Sequence, residues 1–283
     1  MTGGRGRRLG ARLAVAALLL WFAVPLVPVL TWAFANQWSF PALLPQQWGL
    51  RGWAEAGEAG VIAALGRSIL LGTVVAILAV ALGTAAGRAL AWGRSRWNGA
   101  LALSLFAPVA LPPFARAMGL DVLLLRLQVP SLVALVGLLT VFALPYTTYT
   151  MRAAYTALDR GLEEQARLLG ASPATAFFRV TLPALAPAVA AATFLAFLVG
   201  WSDYVVTVVI SGGQFTTVPL LIGSAASRTG NEPSLAVLSL LSLSIPLATL
   251  LLAGAIQRRR ASPSAPLRTE SVTSPRKEPA HVG

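Results

Sequence analysis

From Ser68 to Gly87 the chain runs SILLGTVVAILAVALGTAAG, 20 residues without one ionisable side chain. As an α-helix such a run is about 30 Å long, the thickness of bilayer hydrocarbon. No water is available there, so each backbone N–H and C=O has to find its partner inside the segment. A helix meets that demand and an open sheet does not. A membrane barrel would need alternating strands of about 10 residues, and no such alternation is present. Comparable apolar stretches recur along the chain. The expected fold class is all-α, a polytopic transmembrane helical bundle with six spans: Ala11–Phe34, Ser68–Trp92, Leu101–Leu120, Ser131–Met151, Leu182–Thr207 and Leu235–Ala255. Only 11% of the 283 residues are charged, against about 25% in soluble domains, and the mean hydropathy is +0.72.

Composition also removes several chemistries. Cysteine is absent, which excludes disulfides, thiolate catalysis and Cys-built zinc sites. The one histidine is His281, and the one lysine, Lys277, sits in SPRKEP with no glycine-rich loop before it. A nucleotide-binding P-loop needs both, so ATP hydrolysis is expected to lie outside this chain.

The arginines set an orientation. With the N-terminus inside, Arg5, Arg7, Arg8, Arg12, Arg88, Arg94, Arg96, Arg152, Arg160, Arg167, Arg179 and Arg258 to Arg260 fall on the inner side. Arg51, Arg67, Arg116, Arg126 and Arg228 fall on or near the other. That bias predicts N-terminus and C-terminus in the cytoplasm, and reads the net charge of +12 as a topological signature rather than a nucleic-acid footprint. The first span carries Trp21 and Trp32 and is longer than a signal-peptide core, so it is expected to stay uncleaved. The expected organisation is a cytoplasmic N-terminus over 1–10, the first span and an outer interfacial segment over 11–67, a core over 68–257 and a disordered tail over 258–283. A short amphipathic helix is expected near Leu50–Glu58 at the outer interface.

Between the fourth and fifth spans the chain reads EEQARLLGASPATAFFRVTLP. Asp159–Leu169 has strong helix formers with acids early and Arg167 late, as the helix dipole prefers. Gly170 suits a left-handed C-terminal cap, Ser172 an N-cap and Pro173 the first position of a second helix, Pro173–Val180. Pro183 is then placed to open the fifth span. This is a helix–turn–helix elbow, residues 159–181, offering Phe177 and Phe178 beside Ala174 to a protein partner. Packing of both rings under the bundle is the alternative.

The run from Leu162 to Ala188 resembles the Glu-Ala-Ala cytoplasmic loop of ABC-importer permeases, whose form is close to E-A-A-x-x-x-G-A followed about ten residues later by L-P. Glu164, Ala166, Gly170, Ala171, Ser172, Pro173, Phe177, Leu182 and Pro183 match it. Gln165 stands where alanine is usual, and Leu168 where sugar permeases often have aspartate. The resemblance covers roughly Ser68 to Gln257 and implies the type-I importer permease fold in a bacterial inner membrane. It further implies that Glu163, Glu164 and the Phe177 helix dock on a cytoplasmic ATPase dimer that binds ATP and Mg. A second homologous permease and an extracytoplasmic solute-binding protein would complete the assembly. The region from Trp201 to Leu240 looks most like the branch that takes polyamines, thiamine, ferric iron, phosphonates and opines. A polyamine is the leading expected solute.

Asp203, with Trp201 and Tyr204, is the candidate pathway group, since an ionisable residue at the end of a span is costly and a cation could stack there. A wetted helix-end carboxylate is the other reading. Pro108, Pro112 and Pro113 predict a kink or hinge in the third span, Ser211–Gln214 a turn, and Gly83–Gly87 a small-residue face for close helix packing. A secondary transporter driven by an ion gradient is the competing function. It would normally show several intramembrane carboxylates or an inverted repeat. A scaffold subunit would leave the elbow's cap chemistry unexplained.

Overall fold

The computed structural model describes residues 3–39, 41–93, 96–228, 230 and 232–260. Arg94 and the tail from Ala261 lie outside them. In chain order the elements are α1 Gly3–Ala23, α2 Leu26–Ala33, β1 Ala35–Gln37, β2 Gln47–Trp48, α3 Arg51–Ala56, α4 Ala59–Trp92, α5 Asn98–Ala110 and α6 Pro113–Arg126. There follow α7 Ser131–Ala157, α8 Gly161–Leu168, α9 Pro173–Ala176, a π turn Phe177–Thr181, α10 Leu182–Ala184, α11 Ala186–Ser202, α12 Val205–Ser211, α13 Val218–Ala226 and α14 Glu232–Arg260. The fold is all-α apart from the small antiparallel pair of β1 and β2.

Three helices (α4, α7 and α14) are each long and apolar enough to cross a bilayer, and three bent pairs pass the same test together. The six expected spans therefore each have a counterpart, but several bounds and shapes differ. The second begins at Ala59 rather than Ser68, and α14 runs on to Arg260, so residues 258–260 are helical rather than part of a tail. Helix α1 likewise starts at Gly3. The first span bends by 46° just before Leu26, the third by 99° and the fifth by 78°.

Proline explains the sharpest bend. Pro112 has no N–H, so the carbonyl of Pro108 loses its helical donor. Arg116, one turn further on, supplies Nη1 to that oxygen at 2.8 Å and lies 4.1 Å over the Phe142 ring of α7. The break is thus held by a side chain reaching back across it. The fifth span opens at Ala186 with Pro187 in its first turn, not at Pro183.

The core is α4 against α7 and α11, closed over by α14 and α12. Small residues let these helices approach, as membrane helices without a hydrophobic driving force require. A Cβ on Gly87 would meet the Arg152 amide nitrogen and Met151 Cβ at 2.8 Å, and one on Gly200 would meet Gly72 Cα at 2.8 Å. Beside Gly83 the Thr147 hydroxyl crosses to the Ala79 carbonyl at 3.0 Å. Residues Gly83–Gly87 are therefore the close-packing face read from the sequence.

The short helix α3 sits where Leu50–Glu58 was expected, yet it packs on the start of α14, where Gly52 faces Pro233 and Val237. Glu55 ties the two together through the Ser234 hydroxyl, which with Arg51 holds its carboxyl below the usual range.

Gly87→Ala should force α4 and α7 apart and cost about 1–3 kcal/mol. Gly137→Ala, with open space at its Cβ position on α7, should instead stabilise by about 0.5–1 kcal/mol. Thermal unfolding of both variants in one detergent compares them.

Candidate functional site: the elbow and its anchor

The elbow forms because each turn of chain caps the last. At the end of α8 the amide of Ala171 donates to the Ala166 carbonyl and that of Gly170 to Arg167, both at 3.0 Å. This is a Schellman cap, and it needs the left-handed φ of +91° that Gly170 adopts. Ser172 Oγ then accepts from the Thr175 amide at 3.2 Å and opens α9 with Pro173 at its first position. At the other end Asp159 Oδ1 accepts from the Gly161 amide at 2.9 Å, so α8 begins two residues later than expected.

The second helix does not stop before Leu182. It passes through the π turn, closed by the Leu182 amide on the Phe177 carbonyl, and continues to Ala184. Pro183 offers no N–H to the Arg179 carbonyl, and a wider turn is the local answer.

The candidate residues of the elbow divide into two faces. Inward, the buried Glu163 accepts from Arg88 Nη2 at 2.8 Å and from the Thr181 hydroxyl at 3.0 Å. Ala176 and Thr181 are buried beside it, and Leu182 is half-buried. Phe177 is half-buried, with the Arg88 guanidinium 6.0 Å from its ring centroid. Outward lie Glu164, Gly170, Ser172, Pro173, Ala174 and Pro183, while Ala166 and Ala171 are half-buried. Leu168 is 87% exposed, Leu169 89% and Phe178 63%. The two phenylalanines, expected on one face, are thus split, with rings 5.1 Å apart and edge to face.

The anchor joins Arg88 and Arg160, read from the sequence only as orientation charges, to Trp92, read only as the end of the second span, and to Tyr155. Trp92, at the end of α4, is flanked by Arg88 at 4.9 Å and Arg160 at 5.2 Å, and packs edge-on against Tyr155 at 5.0 Å. Its indole N–H donates to the Tyr155 carbonyl at 3.0 Å, and Arg160 Nη2 to the Ala91 carbonyl at 3.2 Å. The signal available was Arg88 and Trp92 one helical turn apart at the end of an apolar run, where they share a face.

The second candidate cluster lies at the opposite end of the core, and the structure does not keep it together. Trp201 is buried, stacked on Phe197 at 5.8 Å, and donates its indole N–H to the Ser242 carbonyl at 3.0 Å. It is a packing residue and is not open to a solute. Asp203 sits in the break between α11 and α12. There Oδ2 accepts the Thr207 amide at 2.7 Å and its hydroxyl at 3.0 Å, capping α12. Asp203 is half-buried there, and Arg116 is its cationic neighbour. Tyr204 is 45% exposed, with one ring edge over Gly223. Gly212 and Gly213, at φ +56° and +78°, form the expected turn. Elsewhere, an apolar groove of about 510 Å³ runs between α4, α11 and α14, lined by Ile69, Ile77, Phe194, Phe197 and Ile245.

Residues 79–262 match the family model described as binding-protein-dependent transport system inner membrane component. The chain belongs to that family. It is 32% identical over 207 residues to the putrescine transport system permease protein PotI of Escherichia coli (strain K12), covering 69% of this chain and 73% of that one. With the spermidine/putrescine transport system permease protein PotC of Haemophilus influenzae it shares 30% over 190 residues, 65% and 74% of the two chains. The solved bacterial alginate ABC transporter, in complex with an alginate pentasaccharide-bound periplasmic protein, superposes with a TM-score of 0.63 at 12% identity. That match covers 91% of this chain and 96% of that one. The fold is the type-I importer permease fold, and the chain is an inner-membrane permease subunit of an ABC importer.

Gly170→Ala should strain the left-handed cap and cost about 1–2 kcal/mol of local stability. Hydrogen exchange should then speed up over residues 161–176 and stay unchanged in α4 and α7.

Proposed function

We propose that this permease is driven by a cytoplasmic ATPase pair gripping the outward face of the elbow, and that its solute is a polyamine or another small cation. The observation that carries the first part is the apolar tip of Leu168, Leu169 and Phe178, held out on a doubly capped turn. Large exposed apolar side chains on a rigid, charge-flanked projection mark a protein contact. Glu164 and Arg167 flank that tip and would give the contact its register. Glu163 takes no part in the grip, because its carboxylate is already committed inside.

In this reading ATP and Mg belong to the ATPase, and the chain carries no catalytic residue. A second homologous permease completes the pathway and an extracytoplasmic binding protein delivers solute. In this reading both termini lie in the cytoplasm, with the elbow, and the arginine distribution supports that orientation. The polyamine assignment leans on the relatives' names and on the acidic Asp203 beside exposed Tyr204.

Wild-type complex purified in mild detergent from its native membrane should carry an ATPase with it. Leu168→Ala with Phe178→Ala should lower the retained ATPase about tenfold. A wild type that comes out alone and moves solute on an ion gradient would favour a secondary transporter instead. For the solute, Asp203→Asn keeps an acceptor for Thr207 and removes only the charge. Its KM for putrescine uptake should rise about tenfold with little change in thermal stability, and unaltered uptake kinetics would retire the charge from the pathway.

A further inference from the structure

The family match over residues 79–262 assigns nothing to Arg88, yet this residue makes the elbow's one ion pair with the bundle among the described residues. It sits on α4 directly after Gly87, where the backbone is pressed against Met151 and Arg152 of α7. Its guanidinium leaves the bundle at the last turn of α4. It stands over Trp92 at 4.9 Å, faces Phe177 at 6.0 Å and closes on Glu163 at 2.8 Å. Glu163 in turn receives the Thr181 hydroxyl at 3.0 Å, from the π turn that joins the elbow to α11. One carboxylate therefore ties three pieces of chain: the end of α4, the first elbow helix and the root of the fifth span.

A contact of this kind resists displacement differently from apolar packing. A charge-assisted hydrogen bond is directional and short, and the Glu163 side chain is only 10% exposed, so little water competes for it. Sliding α8 along the bundle by one residue would break both of its bonds together and leave a buried ion without a partner. Just before α8, Arg160 adds a second link to the end of α4, donating to the Ala91 carbonyl at 3.2 Å and lying 5.2 Å from the Trp92 ring centroid.

We infer that Arg88, acting through Glu163 and Thr181, is a positioning residue that makes the elbow and α4 move as one body. A pull on the elbow then reaches the core without being lost at the loop. This rests on the reading of the elbow as the ATPase grip. The split of duties within the pair Glu163–Glu164 follows from it, the first holding the bundle and the second facing outward.

The test uses the intact complex. The chain has no cysteine, so Leu70→Cys on α4 and Leu162→Cys on α8, 61% and 42% exposed, give this chain a single nitroxide pair. Double electron–electron resonance is read without nucleotide and after trapping with Mg-ATP and vanadate. With Arg88 present the distance should hold within about 2 Å between the two states. Arg88→Met with Glu163→Gln removes both charges, so no unpaired ion stays buried. In that variant the ATPase should still co-purify, the distance should shift or broaden on trapping, and solute moved per ATP should fall about three- to thirtyfold. Arg88→Lys should recover part of the loss. If the double variant elutes as an aggregate, Thr181→Val, which keeps volume and removes one hydrogen bond, takes its place with the same readout.

A double variant that keeps the wild-type distance in both states overturns the inference, as does one that can no longer retain the ATPase. A wild-type distance that changes on trapping overturns it as well. A wild type that purifies without any ATPase sinks the coupling reading itself, and this inference with it.

Discussion

The approach of α4 to α7 is the constraint on which the rest of the molecule depends. Two packed helices usually stand about 8–10 Å apart, and Gly83 and Gly87 remove the side chains that would hold this pair wider. The space they leave is taken by Thr147, whose hydroxyl bonds across to the α4 backbone, and by Met151 at full burial. A membrane core cannot rely on water to drive helices together, so steric fit and interhelical hydrogen bonds have to do it. Once the two helices are in register, Arg88 and Trp92 emerge beside Tyr155, and the anchor for the elbow exists.

The elbow then joins a soluble-type motif to a membrane-type one. Its tip is built from caps, which cost nothing in the bundle and make the turn stiff. Its root is built from an ion pair and a π turn, which set its direction on the bundle. The 78° bend at Leu185 lies immediately beyond that root. A capped tip, a polar root and a bent span therefore follow one another along the chain, with the Glu163 carboxylate bonded at the root.

Much of this was legible in the sequence, for reasons that differ by element. The apolar runs gave the spans because bilayer thickness is a length, and helix rise converts it to residues. Gly170, Ser172 and Pro173 gave the turn because cap chemistry is local and each residue type has one use there. The bend at Pro112 was legible as a proline effect, but its size was not, since it depends on what refills the lost hydrogen bond. Arg116 does so from four residues beyond Pro112, and it had been counted only as an outer-side charge. In sequence Trp201 reads as a pathway ring next to Asp203, whereas Phe197 and the Ser242 carbonyl draw it into the core.

The same limit explains the two glutamates. In sequence Glu163 and Glu164 are adjacent acids at the start of a helix, and the macrodipole favours both. Adjacent helical residues differ by 100° around the axis, so one turns to the bundle when the other turns to solvent. Which of them is inside depends on where Arg88 stands, 75 residues earlier in the chain. There the two Glu163 oxygens are held by the Arg88 guanidinium at 2.8 Å and the Thr181 hydroxyl at 3.0 Å, and the geometry of those two bonds is what makes the contact directional. The residue of the pair that looks redundant in the motif is therefore the one that bonds the elbow to α4, and Glu164 is the one left exposed.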